Sequence, residues 1–254
     1  MTIIEIQDLN KSFKLSKKQR KINRTEVRVK EAVKALSLSL HSGEIFGLLG
    51  PNGAGKTTTL RMLSTLIKPD SGDALVDGAS IIKNPALVRS KIGFLTSELK
   101  LDDFFTPNYL FRYFGAMHGL EDAVVEARRK ALFEQFGITS FEEVKIADLS
   151  TGMKQKISLV ISIVHDPKVI IFDEPTNGLD LVTAKTVTDF LLALKAEGKT
   201  IILSTHIFDI VEKLCDRVGI IIEGRLVFVD DVPKEAGVLE ARFFDLYEQA
   251  RLSK

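Results

Sequence analysis

The hydrophobic pattern of this chain alternates between two periods and predicts an α/β fold. Short runs rich in apolar residues predict β-strands, several of which end at glycine, acidic or hydroxyl residues. Longer stretches with apolar residues every three or four positions predict amphipathic helices. The predicted strands are Thr2–Ile6, Ala35–Leu40, Ile45–Leu49, Ala74–Val76, Ile92–Leu95, Val169–Phe172, Thr200–Ser204, Val218–Ile222 and Arg225–Val229. The predicted helices include Thr58–Leu66, Asp122–Phe136, Val182–Lys195 and a tail at residues 234–254.

Residues 98–148 differ in character from the segments around them and predict a helical insertion. Thr106 followed by Pro107 is typical of a helix start, because a hydroxyl caps the first turn and proline fits the first helical position. The apolar face of this helix consists of Leu110, Phe111, Tyr113, Phe114 and Met117. We interpret this face as a packing surface, with docking of a partner as the alternative.

Composition and charge limit the kinds of protein that this chain can be. The chain has 254 residues, of which 45% are hydrophobic and 27% charged, as in an ordinary globular protein. Its 35 basic and 34 acidic residues nearly cancel, so no overall field favours nucleic acid. A single cysteine, Cys215, excludes a disulfide framework and indicates a reducing compartment. The apolar runs are shorter than the roughly 20 residues that span a bilayer, so any work at a membrane requires a partner.

One stretch, residues 11–30, departs from this balance. Its basic residues are Lys11, Lys14, Lys17, Lys18, Arg20, Lys21, Arg24, Arg28 and Lys30, against the single acidic residue Glu26. We predict a solvated hairpin or loop. Contact with anionic lipid head groups or with an acidic partner surface is the alternative.

A phosphate-binding loop is predicted between Ile45–Leu49 and the next helix. Gly50–Thr57 matches the pattern G-x-x-x-x-G-K-[ST] in the strand-to-helix context that gives the pattern meaning. Its glycines let successive backbone N–H groups face phosphate oxygens at a helix N-terminus. Lys56 then places its ammonium against the β- and γ-phosphates, and Thr57 offers its hydroxyl to Mg²⁺.

Acidic and basic candidates follow two other predicted strands. Asp173 and Glu174 come directly after Val169–Phe172, whose composition is that of a buried central strand. An acidic pair in this place is often only a cap or a turn, but beside a phosphate loop Asp173 can hold Mg²⁺ and Glu174 can deprotonate water. His206 follows Thr200–Ser204 and can hydrogen-bond a γ-phosphate oxygen.

The order and spacing of five segments resemble those of ATP-binding cassette (ABC) ATPases, in particular the ATPase subunits of NatA-type sodium or drug exporters. The segments that match the Walker A loop, signature, Walker B, D-loop and H-loop are Gly50–Thr57, Leu149–Met153, Asp173–Thr176, Asn177–Asp180 and Ser204–His206. The resemblance implies a P-loop NTPase with a RecA-like core, an N-terminal antiparallel β subdomain and an α-helical ABC insertion. It implies an ATPase domain at residues 1–233, with the helical subdomain at 98–148, and a helical tail at 234–254.

The resemblance also implies roles for individual residues. Phe13 is expected to stack on adenine, and Glu174, His206 and Lys56 are expected to be catalytic. The residues expected to hold the nucleotide of the same chain are Gly50, Asn52, Gly53, Ala54, Gly55, Lys56, Thr57 and Thr58. Ser150, Thr151 and Gly152 are expected to bind the γ-phosphate held by a second chain, and Asp180 to connect the two sites.

At the level of the assembly, the resemblance implies a homodimer around two ATP and Mg²⁺, or pairing with a homologous ATPase subunit. The partner is a transmembrane permease and not nucleic acid. The chain is expected to be cytoplasmic and peripheral at the inner face of the cell membrane, where it powers export of sodium, a drug or a similar solute.

Three departures from the family pattern leave alternatives open. The usual signature is LSGGQ, but this chain has Thr151 in place of a glycine and Met153 in place of the glutamine. Methionine lacks the polar atoms of glutamine. The glutamine expected after Ile92–Leu95 is missing, and Ser97 takes its place as a metal-ligand candidate. The basic segment at 14–30 is longer than usual. A soluble ABC ATPase acting on nucleic acid or ribosomes, and a regulatory module with little hydrolysis, are the rival interpretations.

Overall fold

A computed structural model describes residues 1–22, 26–96 and 100–252. Its strands are β1 (Thr2–Lys14), β2 (Val29–His41), β3 (Ile45–Leu49), β4 (Ser71–Val76), β5 (Ala79–Ser80), β6 (Ile92–Thr96), β7 (Val169–Asp173), β8 (Thr200–Thr205), β9 (Arg217–Ile222) and β10 (Arg225–Asp231). Its helices are α1 (Lys17–Ile22), α2 (Lys56–Leu63), α3 (Pro85–Lys91), α4 (Pro107–Met117), α5 (Asp122–Phe136), α6 (Thr151–Ser162), α7 (Leu181–Ala196), α8 (Phe208–Leu214) and α9 (Val238–Leu252). Two short 3₁₀ turns, Thr139–Phe141 and Ile146–Asp148, lie between α5 and α6.

The larger sheet aligns the ends of its central strands. Its order is β10-β9-β3-β8-β7-β6, and all neighbours are parallel except β10, which pairs antiparallel with β9. Every residue of β3, β7 and β8 is buried, as expected where both faces of a parallel sheet are covered. Leu49 pairs with Thr205, and Asp173 pairs with Ser204. The segments that follow β3, β7 and β8 therefore meet at one edge of the sheet.

The smaller sheet is antiparallel, in the order β2-β1-β4-β5, and packs against the larger one. Alternate residues of its long strands point inward, so that Ile4, Ile6 and Leu38 share a core with Leu60 of α2 and Phe46 of β3. These two sheets and the covering helices confirm the predicted α/β P-loop architecture with an N-terminal antiparallel β subdomain.

The basic stretch lies at the end of a hairpin that is longer than predicted. β1 continues to Lys14 and β2 begins at Val29, while Leu15 N donates to Arg28 O at 2.9 Å just beyond the paired strands. Helix α1 follows, and the sequence did not predict it because six residues rich in lysine and arginine have no apolar period. The hairpin brings Phe13 and Lys30 opposite each other in register.

Helices α4 and α5 form most of the helical region. Thr106 caps α4 by accepting a hydrogen bond from Tyr109 N at 3.2 Å, as predicted, and Gly137 ends α5 in the left-handed conformation. Phe111 of α4 packs edge-to-face on Phe133 of α5 with ring centroids 5.4 Å apart. The predicted packing face is only partly internal, because Leu110 and Phe111 are buried but Tyr113 and Met117 are exposed.

The C-terminal helix α9 is part of the packed structure. It begins at Val238, later than the predicted start at residue 234, and buries Leu239 and Phe243 in a cluster with Val218 and Ile220 of β9. The Phe243 ring meets Phe208 of α8 at a centroid distance of 5.3 Å. Across residues 1–22, 26–96 and 100–252, none of the helices is both long and apolar enough to cross a membrane.

A pair of histidines joins the helical region to the larger sheet. The rings of His118, at the end of α4, and His165, after α6, stack 3.8 Å apart at an interplanar angle of 4°. His165 Nε2 lies 3.0 Å from the carbonyl oxygen of Ile92 in β6, which indicates the tautomer that carries the proton on Nε2. The buried Nδ1 has no hydrogen-bond partner among the described residues.

We expect the free energy of unfolding to fall as pH drops from 6.5 towards 4. Burial, with the neighbouring His118, lowers the pKa of His165 from 6.5 to about 4. Between these values the unfolded chain binds a proton that the folded chain does not, so stability is lost as pH falls. Urea unfolding at pH 7.5 and 5.0 measures this difference. His165→Gln, whose amide can still donate to Ile92 O, should reduce it, whereas the exposed His41→Gln should not. An equal pH dependence in all three proteins would contradict the assignment.

Candidate functional site

The loop between β3 and α2 is held against neighbouring backbone by its glycines. A Cβ atom at Gly50 would lie 2.3 Å from Ile221 O, and one at Gly55 would lie 2.3 Å from Ala32 O. Gly55 also has φ +114°, a conformation that side chains disfavour. Its backbone immediately precedes the first turn of α2, where the N–H groups of a helix have no partner within the helix. The loop therefore has the close backbone approach that a phosphate-binding loop requires.

The side chain of Lys56 is folded back over this loop. Its Nζ donates to Gly50 O at 2.7 Å and to Pro51 O at 3.3 Å, and it lies 3.6 Å from Glu174 Oε1. Burial lowers the pKa of Lys56, and the negative charges of Glu174 and Asp173 oppose this shift. Two neutral carbonyls of the described residues thus lie at hydrogen-bond distance from the ammonium, and an anionic ligand can replace them.

Asp173 lies between two hydroxyl groups. Thr57 Oγ1 donates to Asp173 Oδ1 at 3.0 Å, and Ser204 Oγ donates to the same oxygen at 2.5 Å. Asp173 and Ser204 are directly paired residues of β7 and β8, which explains their contact. The phosphate loop and the carboxylate predicted from distant segments therefore meet in the fold.

Glu174 is presented by an unusual backbone conformation. Its φ is +53°, and its N–H donates to both the carbonyl oxygen and the Oγ of Ser204, at 3.2 and 3.1 Å. Its carboxylate oxygens lie 3.1 and 3.0 Å from His206 Nδ1. A non-glycine residue at positive φ persists where its surroundings hold it, and such residues cluster at functional sites. Glu174 is therefore held between Lys56 on one side and His206 on the other.

A cavity of about 270 Å³ opens above the loop. The residues that line it are Phe13, Lys30, Ala32, residues 52–58, Glu174 and Asn177. The Phe13 ring is 40% exposed and leaves a face available for stacking, while Lys11 Nζ lies 5.7 Å from its centroid. An aromatic ring, the loop of residues 52–58 and the buried Lys56 thus line one open space, which suits a nucleoside polyphosphate.

The signature segment, Leu149–Met153, lies outside this cavity. Ser150 caps α6 by accepting from Met153 N at 3.3 Å, and a Cβ at Gly152 would lie 3.0 Å from Thr183 Oγ1 of α7. None of Ser150, Thr151, Gly152 and Asp180 is among the described residues that line the cavity. The structure therefore does not bring these predicted residues to the phosphate loop of their own chain.

Asp180 acts within this chain as a helix cap. Its Oδ1 accepts from Val182 N and Thr183 N, each at 3.0 Å, and its Oδ2 accepts from Thr183 Oγ1 at 2.7 Å. The hydrogen bonds from Thr183 lower the pKa of Asp180. Gly152 packs beside this cap, so the start of α6 and the start of α7 are coupled.

Met153 has a physical reason to replace a polar residue. Its side chain is partly buried and packs against the large core cluster that includes Leu149 and Phe172. Two residues on, Gln155 Nε2 donates to Pro175 O at 3.3 Å, which ties α6 to the segment after Glu174.

The donor set at Asp173 fits a magnesium ion. A carboxylate and a hydroxyl are the hard oxygen ligands that Mg²⁺ takes, together with water and phosphate oxygens. No cluster of three His, Cys, Asp or Glu residues suitable for a metal occurs within the described part of the chain. The pair formed by Thr57 and Asp173 is therefore suited to a metal that arrives with a phosphate ligand. Ser97 lies outside the described residues.

Ser204 and Lys30 are among the residues of the site that were not predicted from the sequence. Ser204 holds both carboxylate residues, but a hydroxyl near the end of an apolar strand carries no signal of that contact. Lys30 lines the cavity, and the only sequence signal for it was its membership of the basic stretch at 11–30. Its side chain nevertheless points to the phosphate loop, with Nζ 3.5 Å from Gly53 O.

Comparison with known sequences gives one family and several full-length or partial relatives. A family described as ABC transporter matches residues 33–177. The ABC transporter ATP-binding protein NatA of Bacillus subtilis (strain 168) is 37% identical over 98% of this chain and 93% of its own length. The linearmycin resistance ATP-binding protein LnrL of the same organism is 38% identical over 79% of this chain and 64% of its own length. The Nod factor export ATP-binding protein I of Paraburkholderia xenovorans (strain LB400) is 40% identical over 78% and 65%.

Solved structures share the fold. The structure of an ATP-binding subunit of an ABC transporter superposes with a TM-score of 0.79 at 26% identity, covering 99% of this chain and all of that one (100%). A dimeric ATP-binding cassette in a post-hydrolysis state, bound to ADP and Pi, has a TM-score of 0.79 at 21% identity over 91% of this chain and 100% of that one.

Proposed function

Since this chain belongs to the ABC transporter family and is an ATP-binding subunit and ATPase of that family, we propose that two copies enclose two Mg·ATP head to tail and drive a separate membrane permease. The observation that carries the proposal is the convergence of Lys56, Glu174 and the Thr57–Asp173 pair beside the cavity above the phosphate loop. A homologous ATPase subunit in place of the second copy is the alternative form of the same assembly.

In the proposed hydrolysis Glu174 is the general base. Its carboxylate accepts a proton from water as the water oxygen bonds to the γ-phosphorus, and the bond to the β–γ bridging oxygen breaks to release ADP and phosphate. His206 Nδ1 lies 3.0 Å from Glu174 Oε2 and orients the carboxylate. Donation from His206 to the γ-phosphate requires a proton on Nε2 as well. Lys56 exchanges its bond to Gly50 O for phosphate oxygens and offsets the charge that develops there.

Thr57 and Asp173 would hold the magnesium ion, whose chemistry is to neutralise phosphate charge and polarise the β- and γ-phosphate oxygens. The protein's part is to keep the two ligands together. Thr57 Oγ1 is already within 3.0 Å of Asp173 Oδ1, and Ser204 fixes the same carboxylate from the other side at 2.5 Å. Phe13 would stack on the adenine ring at the open end of the cavity.

The location of the signature supports a shared site. Ser150 and Gly152 begin α6 outside the cavity of their own chain, where the free N–H groups of a helix N-terminus favour an anion. We therefore assign Ser150, Thr151 and Gly152 to the γ-phosphate held by the opposing chain. Asp180, which caps α7 beside Gly152, would link the two sites.

An exposed aromatic row on α4 is our proposed contact for the permease. Phe105 stacks on Tyr109 with centroids 4.4 Å apart, and Tyr109 on Tyr113 at 6.1 Å. Met117 at the end of the helix is 65% exposed, and Phe104 beside its start is 81% exposed. A contiguous apolar surface of this kind marks an interaction site. The names of two relatives, one an export protein and one a resistance protein, support export as the direction of transport. We propose sodium, a drug or a similar solute as the exported substrate.

Co-purification from membranes tests this proposal. We expect the chain to be recovered with a membrane-spanning partner and Tyr113→Glu to reduce that recovery at least about fivefold, because a buried unpaired charge costs several kcal/mol. Leu66→Glu, a similar change at an exposed residue of another surface, should not. ATP hydrolysis by the isolated chain should be the same in all three proteins. Recovery with nucleic acid or ribosomes in place of a permease would support the rival class.

A further inference from the structure

The hairpin formed by β1 and β2 brings a second cation to the nucleotide cavity. Lys30 is the register partner of Phe13 in these antiparallel strands, and directly paired residues place their side chains on the same face. Ala32, two residues further along β2, also lines the cavity, as the alternation of a strand requires for residues that share a face. The backbone therefore directs Lys30 towards the same space as the Phe13 ring.

The ammonium of Lys30 ends at the phosphate loop. Its Nζ lies 3.5 Å from Gly53 O, and a Cβ atom added at Gly53 would also be 3.5 Å from Nζ. In the part of the chain that the structure describes, no carboxylate is within the 4.0 Å of an ion pair with Lys30. Among the described residues, Lys30 Nζ thus has a neutral carbonyl as its partner, at the outer limit of hydrogen bonding.

The neighbouring lysine of the same strand is different. Lys34 Nζ lies 3.8 Å from Glu31 Oε2, and Lys34 is absent from the lining of the cavity as far as the described residues show. The two lysines therefore carry the same charge on one strand, but only Lys30 faces the loop. Both Lys56 and Lys30 contact the loop: Lys56 of α2 places Nζ 2.7 Å from Gly50 O, and Lys30 of β2 places Nζ 3.5 Å from Gly53 O.

We propose that Lys30 binds the phosphate chain of the nucleotide held by its own phosphate loop. This inference rests on the proposed ATP site and adds a binding residue to it. Lys30 adds a second ammonium beside phosphates that carry several negative charges, at the mouth of the cavity between the adenine-stacking ring and the loop. Because it contacts the bound phosphates and not the attacking water, it acts on affinity for ATP and ADP alike and not on the chemical step.

Nucleotide binding by Lys30→Met distinguishes a direct contact between Lys30 and phosphate from a non-specific effect of positive charge. We expect the Kd for ADP and for Mg·ATP to rise about tenfold at low salt, since one hydrogen bond from a charged group contributes roughly that factor. The Kd for adenosine, which has no phosphate, should stay unchanged, and so should kcat at saturating ATP. Lys30→Arg keeps the charge and should restore most of the affinity.

Lys34→Met is the matched control, because it removes the same charge from the same strand. It should leave the Kd for ADP within about twofold of the unsubstituted protein, as surface charge changes away from a ligand have small effects. An unchanged Kd for ADP in Lys30→Met, an equal loss in Lys34→Met, or an equal loss for adenosine would each overturn the role of Lys30. Failure of the unsubstituted protein to bind ADP or ATP would instead overturn the proposed site itself.

Discussion

Glu174→Gln is expected to lower kcat for ATP hydrolysis at least about 100-fold, because a positioned general base contributes that much or more. Glutamine keeps the size of the side chain but cannot accept the proton of the attacking water. The backbone that presents residue 174 is held by Ser204, whose carbonyl and hydroxyl both accept from its N–H at 3.2 and 3.1 Å. The position of residue 174 is therefore set separately from the ability of its side chain to accept a proton. The substitution should remove only that ability.

The Glu174→Gln variant should still bind ATP, and the bound ATP should persist longer than in the unsubstituted protein. The carboxylate of Glu174 lies 3.6 Å from Lys56 Nζ, and its loss removes a negative charge beside the γ-phosphate. We therefore expect Glu174→Gln to hold ATP at least as tightly as the unsubstituted protein. If two chains close around two ATP, the variant should remain a dimer during gel filtration with Mg·ATP, whereas the unsubstituted protein returns to the monomer as it hydrolyses ATP.

Phosphate release at saturating ATP measures the first effect, and gel filtration measures the second. Glu235→Gln, which neutralises an exposed carboxylate outside the cavity, is the control and should match the unsubstituted protein in both. Residual turnover within tenfold of that protein would remove Glu174 from the role of base. Full loss of turnover without a dimer would leave the base in place and contradict the shared site.

The sequence predicted that the candidate residues lie together, because each of them follows its own strand. Lys56 follows β3, Glu174 follows β7 and His206 follows β8, and the carboxyl ends of parallel strands meet at one edge. The side-chain contacts between Glu174 and His206 and between Thr57 and Asp173 agree with that inference. A motif with fixed spacing specifies a local backbone shape, so such residues can be found without a structure.

Contacts that depend on register between distant segments could not be predicted. Ser204 meets Asp173 because β7 and β8 pair with those two residues opposite, and no local pattern sets that register. Lys30 meets the phosphate loop because β1 and β2 extend beyond the segments that show clear apolar alternation. The stacking of His118 on His165 likewise joins residues from two helical segments that are far apart in sequence. Each of these is a tertiary contact made by a side chain of an ordinary type.

The signature segment shows how a departure from a family pattern can be accommodated. Met153 turns into the core, where its thioether packs among apolar side chains and needs no polar partner. Gln155, two residues later, donates a side-chain hydrogen bond to Pro175 O at 3.3 Å. The start of α6 is unaffected, because Ser150 still caps it. The departures therefore leave the helix N-terminus of the signature able to face an anion.

Gly55→Ala is expected to abolish nucleotide binding at micromolar ATP and to destabilise the fold. The new Cβ would lie 2.3 Å from Ala32 O, a distance that real Cβ atoms essentially never show, and the backbone at φ +114° disfavours any side chain. Relief of the clash has to move either the phosphate loop or the start of β2. Both line the cavity, so a shift of even about 1 Å misplaces the N–H groups that would hold phosphate.

Gly43→Ala measures the cost of placing alanine at positive φ without a steric clash. Gly43 has φ +82°, in the turn between β2 and β3, but a Cβ there meets nothing within 4 Å. The control should lose about 1 kcal/mol of stability, the ordinary cost of placing alanine at positive φ, and should bind ATP normally. Urea unfolding and ATP titration of both variants distinguish the two costs. Because Gly55 and Gly43 share the positive φ and differ in what surrounds them, normal ATP binding by folded Gly55→Ala would show that contact with Ala32 does not shape the phosphate loop.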